Sequence, residues 1–145
     1  MTARLYAQNT AVPVERTRSE IQNLIERHGA QGFMFGSMPG QALIAFEMRE
    51  RRLRFLLPLP TPHKNGRDEL AVKAEIRRRW RALLLVLKSK LEAVASSIVA
   101  FDEEFLAHII VEGNTTVGDR ILPKLGAVIG GGRPLPGLLG AGPSS

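Results

Sequence analysis

The most constraining stretch of this chain is Arg67 to Ser96, which contains no glycine or proline and is rich in Ala, Leu, Arg, Lys and Glu. Residues of this kind favour helix and neither strong breaker interrupts them, so a helix of about 30 residues is predicted, ending at Ser96 or Ser97. At 100° per residue, Val72, Ile76, Trp80, Leu83, Leu87, Leu91 and Val94 fall on one stripe, which must be buried against another layer. Leu85 and Val86 lie well off that stripe. Residues 83 to 87 are therefore apolar around most of the circumference, and the back of the helix calls for cover by the C-terminal third or by another subunit.

The layer it packs on lies upstream. Thr17-Arg18-Ser19-Glu20 has the spacing of a capping box, predicting a helix start at Thr17. Ile21, Leu24, Ile25 and His28 follow on one face, and Gly29 supplies a left-handed stop. The period then changes to alternation. Phe33 to Gly36 forms a short apolar run, Ser37 to Gly40 a turn, and Ala42 to Met48 a second strand. Arg49-Glu50-Arg51 then forms a polar hairpin, and Leu53, Phe55, Leu57 and Leu59 share one face of a third strand opposite Arg52 and Arg54. The expected result is a three-stranded antiparallel meander with one apolar face for the long helix and one face carrying Glu47, Arg52 and Arg54.

Downstream, Phe101 precedes Asp102-Glu103-Glu104, acids suited to the first turn of a helix, whose buried side is predicted to be Phe101, Phe105, Leu106 and Ile109. Ile109 to Val111 is compatible with a short strand, and Thr116 to Asp119 with the cap of a last short helix ending near Pro123. Residues 126–145 hold seven glycines and three prolines and are expected to form a tail that is mobile or docked on a partner. The expected organisation is one α+β domain over residues 1–125, with a Gly/Pro-rich tail at 126–145. Its parts are an N-terminal helix, a three-stranded antiparallel meander, a long amphipathic helix and a small helical C-terminal part.

Charge is distributed unevenly. The chain has a net charge of +6, but residues 1–90 carry nearly all its cations, and residues 91–145 are net acidic. Arg77-Arg78-Arg79-Trp80-Arg81 with Lys73, Lys88 and Lys90 is the densest group; eight cations in 67–90 face only Asp68, Glu69 and Glu75. Arg77, Arg81 and Lys88 fall within about 40° of one another on the helix, with Arg78 on their outer flank. Arginine suits phosphate because its planar fork bonds two oxygens at once, and each phosphate neutralised releases counterions. The bland alternative is a solvated helix face. Arg49, Arg51, Arg52 and Arg54 form a second basic group on the hairpin, and if it lies beside the long helix the two groups border one groove. The expected phosphate-binding residues are thus Arg77, Arg78, Arg81, Lys88, Arg52, Arg54 and Lys73. Trp80 belongs to the core stripe, leaving Phe33, Phe35 and Tyr6 as candidates for base stacking.

Several function classes lack their residues. There are no cysteines, so a disulfide framework, thiolate metal site or cysteine nucleophile is excluded. His28, His63 and His108 have no second ligand at metal spacing, no Gly-Lys-Ser/Thr phosphate loop occurs, and Ser37 and Ser97 have no evident base. The expectation is a protein without enzymatic activity, cofactor or metal. No apolar run reaches the roughly 18 residues of a membrane span, and the first residues lack a signal-peptide pattern, so a cytoplasmic protein without a membrane partner is expected.

Tyr6 to Thr10 with Val12 to Glu15, Arg79 to Leu83 with Lys88 to Val94, and Phe101 to His108 with Thr116 to Gly118 resemble a family of uncharacterised phage and prophage proteins, over residues 6–122. The resemblance transfers no activity; it implies a setting beside phage recombination and single-stranded-DNA genes. In topology alone, helix, meander and long helix is similar to the core of single-strand annealing proteins and, less closely, to double-stranded-RNA-binding domains, whose lysine pattern Arg67-Asp68-Glu69 does not reproduce. The resulting expectation is a phage-type protein that binds single-stranded nucleic acid through phosphates, likewise expected to be a homo-oligomer built on the back of the long helix. The competing expectation is a protein-interaction module, such as an inhibitor of a host defence protein.

Overall fold

The computed structural model describes residues 12–61 and 69–129. Helix α1, Val14–Arg27, starts three residues before the predicted Thr17. Pro13 holds an extended conformation at the N-cap, and its carbonyl accepts from the amides of Arg16 and Thr17; no side chain caps this first turn. The predicted box at Thr17 and Glu20 does not form. Thr17 is instead fully buried, and Glu20 turns to another helix. The C-terminal stop is the predicted one: Gly29 has φ +99°, and the amide of Ala30 reaches back to the Ile25 carbonyl at 2.9 Å.

Strands β1 (Gln31–Met38), β2 (Gln41–Met48) and β3 (Arg51–Pro58) form the antiparallel meander in the order β1-β2-β3. Pro39-Gly40 closes the first hairpin, with Gly40 at φ +81°; Arg49 and Glu50 close the second at φ +51° and +63°. Two positive φ values in a two-residue turn match the twist of the strands, although glycine or asparagine is the usual occupant. Register fixes the faces. Phe33, Phe35, Ile44, Phe46, Leu53 and Phe55 share the inner one, while Met34, Leu43, Ala45, Glu47, Arg52, Arg54 and Leu56 share the outer.

Helix α2, Glu69–Ala95, lies with α1 over the inner face. Trp80, Leu83, Leu87 and Leu91 are buried and Ile76 and Val94 pack at the margins, as the 100° stripe predicts. Leu85 and Val86 are exposed, so among the described residues nothing covers the back of α2.

The C-terminal part closes the β3 side. Helix α3, Phe101–Phe105, places Phe101 and Phe105 in the core, and a 3-10 turn, Leu106–His108, follows. Leu106 is exposed, against the prediction, because the chain changes from 3.6 to 3.0 residues per turn there and rotates the stripe away. Ile109 bridges Leu53, extending the sheet by one contact. Strands β4 (Ile110–Glu112) and β5 (Thr115–Thr116) form a small hairpin, and helix α4, Val117–Ile121, starts at the predicted Thr116 with a complete capping box to Asp119. Gly118 permits α4 to sit against the 3-10 turn, since a Cβ there would lie 2.7 Å from the Ala107 carbonyl oxygen. A second 3-10 turn, Leu122–Lys124, leads into helix α5, Leu125–Val128, which crosses the predicted tail boundary at 126. Tyr6, His63 and the tail from residue 130 lie outside the described residues.

Candidate nucleic-acid interface

Helix α2 carries seven Lys/Arg against Glu69, Glu75 and Glu92, and because its apolar stripe is committed to the sheet, these charges are distributed over the flanks and back. Many of them are held by nearby carboxylates. Arg78 donates through Nε to Glu75 at 2.8 Å and Arg79 at 2.9 Å, and Arg79 also donates to the Pro58 carbonyl at 3.0 Å. Hydrogen bonds from Arg78 and then Arg79 hold the Glu75 carboxyl down at about 2, so it stays ionised while shared between two cations. Arg81 joins α2 to α1 through Glu20, with Thr17 at 3.5 Å. Lys90 reaches Glu104 at 2.8 Å and Lys73 reaches Glu69 at 3.5 Å. Arg77 lies half-buried beside Pro13 and Val14, where the start of α1 meets α2. Lys88 is exposed and forms no ion pair with any described residue.

The hairpin arginines do not complete this surface. Alternation places Arg52 and Arg54 on the outer sheet face, opposite Leu53 and Phe55, so the sheet separates them from α2 and the expected single groove is not formed. Arg54 has a structural role. Its side chain is only 10% exposed, donates to the Asn114 carbonyl, and meets Asp119 at 2.5 Å, fastening the C-terminal part to β3. The Thr116 amide and then Arg54 hold the Asp119 carboxyl below its ordinary range. Arg52 is exposed without an ion pair among the described residues. Arg51 is bound to Asp102 at 3.1 Å, which raises the guanidinium's already high pKa, and Arg49 lies over the Phe101 ring at 5.2 Å.

Sequence reasoning missed Arg18. Its guanidinium lies 4.3 Å from the Phe35 ring and 5.7 Å from Trp80, with Phe33 packed edge-on against Phe35 at 4.4 Å. The signal was its position on α1, just off the buried stripe on the side that overhangs β1. Trp80 is core, as expected. Phe33 and Phe35 are half-buried beneath this cation, which limits them as stacking platforms.

His108 stacks on Phe55 at 4.0 Å, and burial first, then the nearby Lys90 charge, pushes its pKa below 6.5. The unfolded chain therefore binds a proton more readily than the native protein in that window. Stability should be full above about pH 6.5 and fall as acid is added. Thermal midpoints at pH 7 and pH 5.5 are expected to drop further in the wild type than in His108→Gln; equal drops would refute the assignment. No group of three or more His, Asp or Glu able to hold a metal occurs among the described residues.

Fold and charge together define a two-layer α+β domain whose longest helix is basic on its exposed sides. No protein-family model, curated protein or solved structure matches the chain. No helix among the described residues is long and apolar enough to cross a membrane.

Proposed function

We propose that this phage-type protein binds single-stranded nucleic acid by its phosphates along one flank of α2, through Arg77, Arg78, Arg81 and Lys88 with Lys73 at the end of the row. The observation that carries this reading is the ratio of cations to acids on α2, where even the shared Glu75 leaves two guanidiniums on one carboxylate. The pairs made by Lys73 and Arg78 are exposed on the cation's side, and such pairs contribute little to stability, so there a phosphate can exchange for a carboxylate at small cost; Arg81, more deeply set and joined to Glu20 of α1, exchanges at a higher cost. Arg52 and Arg54 are not part of this surface. The protein acts without catalysis, in the cytoplasm, and as an oligomer.

Fluorescence anisotropy of a labelled oligo-dT in rising salt tests it. The four contacts of Arg77, Arg78, Arg81 and Lys88 alone give a log–log slope of about −3, or roughly 50-fold weaker binding between 50 and 200 mM salt. The quadruple substitution Arg77→Ala, Arg78→Ala, Arg81→Ala, Lys88→Ala, with an unchanged circular dichroism spectrum, is expected to lose binding at least about tenfold. Salt-independent binding, or wild-type affinity in that variant, would refute the reading.

A second reading, a protein-interaction module, is favoured by exposed apolar side chains at Met34, Met38 and Leu56 on the outer sheet face and at Leu85 and Val86 on α2. Capture of one stoichiometric protein from nuclease-treated host lysate, without oligonucleotide affinity, would support it over the first.

A further inference from the structure

The two edges of the sheet are treated differently. An edge strand presents unpaired N–H and C=O groups, and proteins blunt it with charge, proline, bulges or a cover. The β3 edge has its cover: Ile109 bridges Leu53, Asp102 holds Arg51, and Asn114 and Asp119 hold Arg54. No described strand pairs with the outer edge of β1. Gln31–Met38 contains no charged residue and no proline. Its one irregularity is the bulge between Gln31 and Phe33, where Gly32 has φ +60°, which leaves Phe33 to Met38 in regular register.

We propose that this edge is where two copies of the protein meet, each β1 pairing antiparallel with the other about a two-fold axis so that the two sheets become one of six strands. Charge argues for a second copy as the occupant. A chain of net +6 approaches itself with least repulsion where it carries no charge, and β1 is uncharged. The flank of α1 above the edge is mixed, Arg18 lying over Phe35 with Glu15, Gln22 and Glu26 on the same side of the helix. Self-pairing of the exposed back of α2, around Leu85, would instead bring the cationic Arg78 side of the helix against its own copy. Antiparallel self-pairing also keeps each face consistent, aromatic Phe33 and Phe35 on the inner side and Met34 and Met38 on the outer. The seam is only about 26 Å long, and a contact of this size falls short of the roughly 1,200 Å² of a stable interface, so the dimer is concentration-dependent. The proposal does not depend on phosphate binding.

Size-exclusion chromatography with light scattering, from about 1 to about 200 µM, is the test. The mass is expected to rise from 15.9 kDa toward twice that value. Met34→Lys, which adds a charge to an exposed position of the edge strand, is expected to remain at the single-chain mass, while Leu85→Lys on the back of α2 dimerises like the wild type. Hydrogen exchange of the wild type at both concentrations covers the case in which Met34→Lys does not fold: slower exchange of β1 amides at high concentration supports the proposal. A wild type that stays at the single-chain mass overturns it, including one whose β1 amides are already protected by another segment of its own chain. So does a dimer that survives Met34→Lys in a folded variant, or one that Leu85→Lys abolishes.

Discussion

Phe105→Ala is expected to lower the unfolding free energy by about 3–5 kcal/mol, the cost of removing a fully buried ring and leaving a cavity. Phe105 is where the C-terminal part enters the main core. Its ring meets Phe101 at 4.8 Å and Phe55 edge-on at 6.2 Å, and Lys90 lies 5.8 Å above it. The short helix α3 makes few contacts of its own to compensate. Because domains of this size are stable by about 5–15 kcal/mol, the loss removes a large fraction of the total. Urea unfolding followed by circular dichroism checks it. A change below about 1 kcal/mol would mean that residues 101–121 fold onto the sheet by other means.

Trp80→Ala is expected to cost a similar amount, about 3–5 kcal/mol, with a different spatial signature. Trp80 is buried at the centre of α2 and supports Phe35 at 5.8 Å, and Arg18 lies over both rings. Its loss should loosen β1 and α1 more than the C-terminal part, whereas Phe105→Ala should do the reverse. Hydrogen exchange resolved along the chain distinguishes the two patterns. Indistinguishable exchange profiles would show that the two halves of the core unfold as one unit.

The architecture was legible because its signals are periodic. The stripe from Ile76 to Val94, the alternation across β2 and β3, and the cap at Thr116 each depend on spacing along one segment. Where a side chain had a choice of partners, local reading failed. Thr17 and Glu20 have the spacing of a box, yet the helix starts upstream at Val14, which leaves Thr17 inside it, and Arg81, sixty-one residues away in sequence, captured Glu20. Arg54 looked like a surface cation because it alternates with Leu53 and Phe55 and so falls on the face turned away from the core, but Asn114 and Asp119 arrive from a segment no strand pattern could place. The candidate site was accordingly half legible. The arginine row on α2 follows from the sequence, and its separation from the hairpin arginines follows only from knowing which face α2 covers.

Arg49, Glu50 and Ser97 are the non-glycine residues with positive φ among those described, and Arg49 and Ser97 line one groove with Ala95, Ile98 and Phe101. Each left-handed residue with a Cβ costs about 1 kcal/mol or more. Conformational cost is thus gathered at the end of the molecule where the second hairpin meets the exit of α2, and Ile98 there is 80% exposed and adds no packing to offset it. The protein's reserve of stability is uneven as a consequence: amides of residues 95–98 are expected to exchange hydrogen faster than those of β2, opening at this corner before the layered middle yields.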